Sequence, residues 1–384
     1  GRSVLALEQS SLLPISPKTY SDGRLWGLHP SLVEVQKLFA SGNLALLANT
    51  GTLVQPVTLA QYKAGTVALP HQLFSHADQQ VQWQSSISDQ PFATGWGGRL
   101  ADIVNSLHSN PKISMSATVA GHNSFQVGKM VTQFAVSSSG ALVLSGKSGG
   151  ALAAARYAAQ QSILSLQEQN LFEAAFGGLT IDSIANTQLL NSVLAAAPAL
   201  ATPFPATSIG AQLKMIARMI GVAPQLALTR QIFFASLGGF DLHSDQLAAH
   251  AGLFTNLSQG LGSFSAAMSE LGVQNQVTTF TASDFSRTFN TNGTNDGTAG
   301  SDHGWGSHHM VMGGAVNGGD IYGRVPLLEI GGPEDTGRGR WIPTTSVDEY
   351  AATLATWFGV SAANLPVVLP NIGRFATSDL GFMA

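Results

Sequence analysis

The fold is decided by the stretch Val277–Arg324, which reads VTTFTASDFSRTFNTNGTNDGTAGSDHGWGSHHMVMGGAVNGGDIYGR. A run of β-branched and apolar residues opens it and leads into Ser283 and Asp284. A second apolar run follows at 310–316, after a polar loop at 290–301 that is rich in Gly, Asn and Thr. Short apolar runs bounded by turn residues predict buried strands. The stretch therefore predicts two strands joined by a long polar loop.

The same stretch concentrates side chains of the kind that bind metal ions. Asp284 ends the first predicted strand, Asp302 and His303 follow the loop, and His308 and His309 precede the second strand. Carboxylate oxygens and imidazole nitrogens are ligands of hard or borderline divalent cations. The pattern indicates a metal site; the alternative is a glycine-rich surface loop whose histidines are only polar.

A third predicted strand, Gln231–Ser236, runs into the segment GGFDLHSDQ at 238–246. In extended backbone, residues i and i+2 face the same side, so Asp241 and His243 can bind one ion. Strands that follow one another across a helix end at one edge of an open sheet, where ligands bind. We expect these side chains to converge there: Asp241, His243, Asp284, Asp302 and His303. The alternative is a metal-free loop held by a salt bridge to Arg287, a residue that is also a candidate for contacting substrate.

Ser75 is a candidate nucleophile because it stands where a helix is predicted to begin, in the segment HQLFSHADQQ at 71–80. Backbone N–H groups and the positive end of the helix dipole favour anions there and lower the cost of an alkoxide. The alternative is that Ser75 only caps the helix. His76 is a candidate for contacting substrate, although a lone histidine is more often structural. Asn49 is a second candidate, because it follows a buried strand predicted at 44–48 and ligands bind beyond strand ends.

Composition excludes several classes of protein. Charged residues make up 10% of the 384 residues, where about 25% is usual. The net charge of −4 provides no basic surface for nucleic acid or anionic lipid. The absence of cysteine excludes disulfides, thiolate metal sites and a cysteine nucleophile. No uninterrupted apolar run of about 18 residues occurs, so we expect no membrane span.

Strands that alternate with helices predict an α/β fold with a mainly parallel sheet sandwiched by helices. The expected sheet strands lie near 44–48, 231–236, 277–282 and 310–316. Short strand patterns at 112–144 predict a small antiparallel excursion beside that sheet. Ser346 and Glu349 predict a capping box at the start of a helix, and a long helix after Ser244 is expected to be interrupted near Gly260 and Gly262. Arg338 and Arg340 could contact an anion, although their glycine-rich loop indicates exposed residues. The chain as a whole, residues 1–384, is predicted to form a single domain, because no repeat or long linker interrupts it.

Several motifs together resemble the domain-of-unknown-function 1501 family. They cover most of the chain: LPHQLFSHADQQVQW at 69–83, TGWGGRLAD at 94–102, GGFDLHSDQ at 238–246, SDFSRT at 283–288, SDHGWGSHH at 301–309, GGAVNGGDIYG at 313–323 and RGRWIPTTSVDEYAATLATWFGV at 338–360. That family resembles the alkaline phosphatase and sulfatase superfamily, and its members are typically exported by the twin-arginine route. The resemblance implies an alkaline-phosphatase-like fold and a periplasmic or extracellular location.

The resemblance also implies a site of one or two divalent ions, zinc, calcium, magnesium or manganese, that hydrolyses phosphate or sulfate esters. Asp241 and His243 would hold one ion, and Asp284 or Asp302 with His303 the other. His308 or His309 would complete the set, and Ser75 would be the nucleophile. The superfamily takes a further aspartate from its first strand. We therefore expect a segment upstream of Gly1, or a second chain, to supply a central strand.

Two functional hypotheses follow. The first is an exported metal-dependent hydrolase of small anionic esters. The second is an exported scaffold or assembly protein that has kept the fold, lost the chemistry and associates with itself. A bound metal would distinguish the two.

Overall fold

Strands and helices alternate along the chain in the computed structural model, which describes residues 3–108, 111–141, 149–166, 170–293 and 295–384. The strands are β1 Leu13–Ile15, β2 Trp26–Leu28, β3 Leu44–Gly51, β4 Ser116–Thr118, β5 Phe134–Ser137, β6 Gly140–Ala141, β7 Ile232–Phe234, β8 Thr279–Phe280, β9 Arg287–Thr291, β10 Ser301–His303, β11 Ser307–Met312, β12 Ile321–Tyr322 and β13 Thr345–Ser346. The helices are α1 Val33–Ala40, α2 Leu59–Ala64, α3 His76–Ser85, α4 Trp96–Val104, α5 Ala151–Leu164, α6 Leu171–Ala196, α7 Ser208–Gly221, α8 Gln246–Glu270, α9 Val347–Phe358 and α10 Leu365–Val368.

The first of two larger sheets is built around β3, which is buried along nearly its whole length. β12 and β13 pair with β3 in parallel, whereas β11 pairs with it antiparallel. β8 lies outside β11 and pairs with it antiparallel, so β8 runs in the same direction as β3. A strand covered on both faces needs a continuous apolar run, which residues 44–48 supply.

The second sheet has the order β6-β5-β4-β7. β4 pairs in parallel with both β5 and β7, and only the pairing of β5 with β6 is antiparallel. The prediction of an antiparallel excursion at 112–144 is therefore wrong for the pairing of β4 with β5, although β5 and β6 do pair antiparallel. Residues 142–144 lie outside the described residues. Alternating polarity indicates that a strand forms but not which strand it pairs with. The fold is mixed α/β with several sheets, rather than one mainly parallel sheet.

The ends of α9 follow their sequence signals. Ser346 and Glu349 form the predicted capping box, with hydrogen bonds of 2.9 and 3.0 Å, and Gly359 ends the helix at φ 114°. In contrast, α8 is continuous through Gly260 and Gly262, where an interruption was expected. Gly262 serves packing instead, because a Cβ there would lie 2.8 Å from the side chain of Glu34.

One cluster of buried apolar side chains extends from Ile15 to Phe382 and joins both larger sheets to α4, α7, α8 and α9. A separate small cluster of Leu53, Trp305 and Ile342 lies beneath the loop before α3. Among the described helices, none combines the length and apolar character that a membrane crossing requires.

Candidate metal centre

Four side chains from three parts of the chain meet beyond the ends of β7 and β8. His76 is the first residue of α3, Asp241 and His243 lie between β7 and α8, and His303 is the last residue of β10. β7 ends at Phe234, so Asp241 and His243 stand on a loop rather than on the extended strand end that the sequence predicted. They nevertheless lie together, with His243 Nε2 3.1 Å from Asp241 Oδ1.

The carboxylate of Asp241 is the centre of this group. Its Oδ1 lies 3.2 Å from His303 Nε2 as well as 3.1 Å from His243 Nε2. Its Oδ2 lies 3.1 Å from His76 Nε2. His243 Nε2 and His303 Nε2 are 3.3 Å apart. The imidazoles thus present their Nε2 atoms to a single carboxylate.

The opposite nitrogen of each ring is held by a second group. His303 Nδ1 lies 2.7 Å from the backbone oxygen of Phe74, and His76 Nδ1 lies 2.5 Å from Asp284 Oδ2. His243 Nδ1 lies 3.3 Å from Asp302 Oδ1. An oxygen beside Nδ1 stabilises the tautomer that carries its proton there and leaves a lone pair on Nε2. Asp284 and Asp302 therefore orient the histidines, whereas the sequence suggested that they bind metal directly.

The hairpin of β9 and β10 fixes the position of His303, which is paired with Arg287 across the two strands. The polar loop between them folds back onto the segment that carries His243. Asn292 Nδ2 donates to the His243 oxygen at 2.6 Å. Gly300 makes this approach feasible, because a Cβ there would lie 2.1 Å from the His243 carbonyl carbon.

Two arginines offset the negative charge of the site. Arg287 donates to a carboxylate oxygen of Asp241 and to the backbone oxygen of Ser301, and Arg338 donates to Asp302. Burial acts to raise the pKa of Asp241, but the hydrogen bond and charge of Arg287 outweigh burial and lower it. Burial acts to lower the pKa of His76, but the hydrogen bond and charge of Asp284, with a contribution from Asp241, raise it.

The donor set fits a divalent ion. His76, Asp241 and His303 each offer a ligand atom, and these atoms all lie within 4.8 Å of one another. Two ligands about 2.0–2.1 Å from a tetrahedral zinc ion are separated by about 3.3 Å. His76 Nε2 lies 3.1 Å from Asp241 Oδ2 and His303 Nε2 lies 3.2 Å from Asp241 Oδ1, so each imidazole is near that spacing from a different oxygen of the carboxylate. Imidazole nitrogen is a common ligand of zinc and other transition metals, whereas calcium and magnesium prefer oxygen.

Ser75 stands immediately before this group, at the N-cap position of α3. It makes no capping hydrogen bond, and its Oγ instead donates to Asp78 Oδ2 at 2.6 Å. Phe74 before it has φ 73°, a left-handed conformation that costs free energy in a non-glycine residue. Hydrogen bonds from the Phe74 N–H to Gln79 and from His303 to the Phe74 oxygen hold that conformation.

Three residues predicted for the site lie elsewhere. Asn49 is fully buried, and its Nδ2 donates to the backbone oxygen of Ile342 at 2.8 Å, so it has no surface to offer a substrate. His308 accepts from the Asn49 N–H through Nδ1 at 3.2 Å. His309 is buried against Trp83 and Tyr350. Burial and the charge of His308 lower the pKa of His309 to about 3, so this ring is neutral.

The sequence did not reveal that His76 belongs to the candidate metal centre as a ligand; it placed His76 only among the residues that contact substrate. Spacing along the chain grouped the ligands that follow β7 and β8, whereas His76 reaches the group from α3, more than 160 residues before Asp241. The available signal was the SHAD segment at the start of a predicted helix, where Ser75 had already been noted. Arg338 is also close to the site through its contact with Asp302, and it is exposed, as its position in a glycine-rich loop suggested.

Comparison with known proteins gave one match. The family described as "Protein of unknown function (DUF1501)" matches residues 11–336. A search of curated proteins found no match. A search of solved structures found none either.

Proposed function

The chain belongs to the DUF1501 family, and we propose that it is a metal-dependent hydrolase of phosphate or sulfate esters. The observation that carries the proposal is the arrangement around Asp241, where Nε2 atoms of His76, His243 and His303 lie 3.1–3.2 Å from its oxygens. Each ring is held through its opposite nitrogen, which is typical of metal-binding histidines. We further propose that the fold is alkaline-phosphatase-like, supported by a mixed α/β architecture with its site beyond strand ends.

In this proposal Asp241, His76 and His303 hold a zinc ion, and His243 completes its protein ligands. A bound zinc ion supplies a Lewis acid that draws electrons from an ester oxygen. Asp284 and Asp302 keep His76 and His243 in the orientation that binding needs. Arg287 offsets the charge of Asp241 while the site is metal-free.

Arg340 is the group best placed to bind an anionic substrate. Its Nε donates to the His303 oxygen at 2.7 Å, and its guanidinium lies 4.8 Å from the ring centre of Phe74, the residue before Ser75. Its Nη atoms have no hydrogen-bond partner among the described residues. A guanidinium with free donors pairs well with the oxygens of a phosphate or sulfate.

Ser75 is the nucleophile in this proposal. Its Oγ forms the new bond to phosphorus or sulfur while the bond to the leaving alcohol oxygen breaks. Asp78 Oδ2, 2.6 Å from Oγ, takes the hydroxyl proton, and the leaving alkoxide takes a proton from water. The hydroxide formed from that water then attacks the phosphorus or sulfur, the bond to Ser75 Oγ breaks, and Oγ takes back its proton from Asp78, so that one water is consumed and the enzyme is restored. The position of Ser75 at the start of α3 places it at the positive end of the helix dipole.

The second candidate function is a non-catalytic assembly protein. Two observations favour it: Arg287 already pairs with Asp241, and α5 and α6 expose large apolar side chains. The most exposed of these on α6 are Leu171 at 84%, Phe172 at 87% and Phe176 at 70%. Such side chains mark surfaces that associate. For both functions we propose export to the periplasm or beyond, which fractionation of the native host tests directly.

The test of hydrolysis uses the protein as purified. We expect about one zinc per chain and turnover of p-nitrophenyl phosphate or p-nitrophenyl sulfate. His303→Ala should lose both the zinc and the turnover. Ser75→Ala should keep the zinc and lose turnover by at least about a thousandfold.

His71→Ala is the matched control, because His71 is exposed and lies in the same loop outside the cluster. It should keep both properties. If the protein binds zinc but Ser75→Ala hydrolyses the esters as fast as the parent, Ser75 is not the nucleophile. If no zinc binds and no ester is cleaved, the assembly function is the better account.

A further inference from the structure

Helices α5 and α6 form a hairpin that lies largely outside the core. The two helices contact each other, with Gln188 donating to the hydroxyl of Tyr157 at 3.1 Å. The second half of α6 is attached to the edge strand β6, where Asn191 and Ala141 exchange hydrogen bonds of 3.0 and 3.2 Å. None of residues 171–186, all of which the structure describes, is buried. The first half of α6, about 24 Å long, therefore projects from the body of the protein.

One face of α6 is apolar along both halves of the helix. Its second half buries three residues: Thr187, Leu190 and Leu194. Because a helix repeats every 3.6 residues, Phe172, Phe176 and Leu179 continue this face toward the start of α6. These three side chains, which we call the α6 stripe, are 87%, 70% and 66% exposed. The face that enters the core in one half of the helix is thus uncovered in the other.

The exposed apolar area is of the size that a dimer needs. A phenylalanine presents roughly 150–250 Å², so Phe172 and Phe176 together expose about 300 Å². With Leu179, and with Leu166 and Leu171 at the tip of the hairpin, the area reaches about 500 Å². Two such surfaces together bury about 1,000 Å², which is the area that a specific interface has to reach.

The charge of the hairpin argues against a membrane as the covering surface. Residues 151–196 hold a single cation, Arg156, and the whole chain has a net charge of −4. Helices that lie on anionic lipid carry several Lys or Arg residues on their polar face. A second apolar protein surface matches the stripe better.

We propose that the α6 stripe is a dimer interface, in which the α6 helices of two copies of this chain pack antiparallel about a two-fold axis at Phe176. The stripe is self-complementary in this arrangement, because Phe176 meets its own copy and Phe172 packs beside the partner's Leu179. Ala175, which is also exposed, lies at the edge of the stripe and allows the helix axes to approach to about 8–10 Å.

The acidic residues of α6 are compatible with this pairing. Glu173 and Asp182 lie at the two edges of the stripe. Antiparallel helices centred on Phe176 separate the two copies of Glu173 by about 9 Å along the helix axis, and the two copies of Asp182 by about 18 Å. Like charges therefore do not face one another across the interface.

This inference names the partner of the surface that the assembly function rests on. It requires neither a bound metal nor ester cleavage, so it can be tested separately from the hydrolase. A parent that dimerises without binding zinc refutes the hydrolase and supports this interface.

The test is sedimentation equilibrium of the full chain between about 1 and 100 μM. The parent should approach twice the mass of one chain. Phe176→Glu places two carboxylates at the axis and should weaken dimerisation at least about a hundredfold, while zinc content and ester turnover stay as in the parent. Ala185→Glu is the matched control, because Ala185 is exposed and lies on the opposite face of the same helix. It should dimerise as the parent does.

A distance measurement tests the direction of the pairing. The chain has no cysteine, so Ala185→Cys provides a single site for a nitroxide label. Antiparallel helices centred on Phe176 place the two labels about 35 Å apart, whereas parallel helices place them about 20 Å apart. Dipolar electron spin resonance measures this distance.

The proposal is wrong if the parent stays monomeric over the whole concentration range or if Phe176→Glu dimerises as the parent does. Equal dissociation of Phe176→Glu and Ala185→Glu, or a label distance of about 20 Å, also contradicts it. So does binding of the parent to phosphatidylcholine vesicles that Phe176→Glu abolishes, since lipid would then cover the stripe.

Discussion

Replacing Asp284 by asparagine tests whether the histidines are organised for a metal. The substitution removes one negative charge and keeps the shape of the side chain. Asp284 Oδ2 lies 2.5 Å from His76 Nδ1, and its side chain is 15% exposed. Carboxylates that hold a metal-binding histidine contribute about 10–100-fold to metal affinity. Because the side chain of His76 is 36% exposed, solvent weakens the interaction, and we expect a loss of about tenfold.

A tenfold loss corresponds to about 1.4 kcal/mol of binding free energy. The assay is a zinc titration by calorimetry at pH 7.5, in competition with a chelator. The pKa of His76 in the metal-free protein, followed by NMR, should fall in the variant because Asp284 no longer stabilises the protonated ring.

Asp245→Asn is the matched control. Asp245 is exposed, stands two residues after His243 and makes no capping hydrogen bond through its side chain. It should bind zinc as the parent does. If Asp284→Asn and Asp245→Asn leave the affinity equally unchanged, the contact between Asp284 and His76 serves structure alone, and the metal-site reasoning fails at that residue.

Three further predictions concern the charge balance, the packing and the pH dependence. Arg287→Gln leaves Asp241 without its cation, so the melting temperature of the metal-free protein should fall. Added zinc should restore the melting temperature, because the ion replaces the lost positive charge. If the salt bridge has no connection with metal binding, zinc will not restore it. Gly300→Ala should cost about 1–3 kcal/mol of unfolding free energy, because its Cβ would meet the His243 backbone, whereas Gly297→Ala, with nothing within 4 Å, should cost less than half of that. Burial raises the pKa of Asp348 to about 7, so the folded chain holds a proton there that the unfolded chain releases from about pH 4 upward. The free energy of unfolding should therefore fall by about 4 kcal/mol between pH 4 and 7 because of this group. Asp348→Asn should remove this pH dependence, which urea unfolding at pH 5 and pH 8 measures. A parent and an Asp348→Asn variant with parallel pH profiles would contradict this assignment.

Helix ends and buried strands were predicted well where they depend only on residues that are neighbours in the sequence. The capping box at Ser346 and the apolar run of β3 are of this kind, and both were predicted correctly. The pairing of β4 with β5 and β7 was not, because a strand's own residues do not specify its partners. The glycines of α8 suggested a break, but their role is close packing against α1 and α7.

The candidate site was predictable in part for the same reason. Asp241 and His243 are two residues apart, and the β9–β10 hairpin brings His303 to them over a polar loop that is visible in the sequence. His76 was missed as a metal ligand because only tertiary structure brings α3 to that point. Asn49 follows the strand predicted at 44–48, where ligands usually bind. In the structure β3 continues to Gly51, so Asn49 lies within the strand and is buried. Strand ends predicted from apolar runs are thus too imprecise to separate a site residue from a core residue.

The most direct measurement is anomalous X-ray diffraction at the zinc edge from crystals grown with zinc chloride. The proposed centre predicts a peak about 2.0–2.2 Å from His76 Nε2, His303 Nε2 and an oxygen of Asp241. Arg287 should then have moved away from that oxygen or share the carboxylate with the ion. Density with no anomalous peak at this point, and with Arg287 still bound to Asp241 at a saturating zinc concentration, would contradict the metal site and the hydrolase that depends on it.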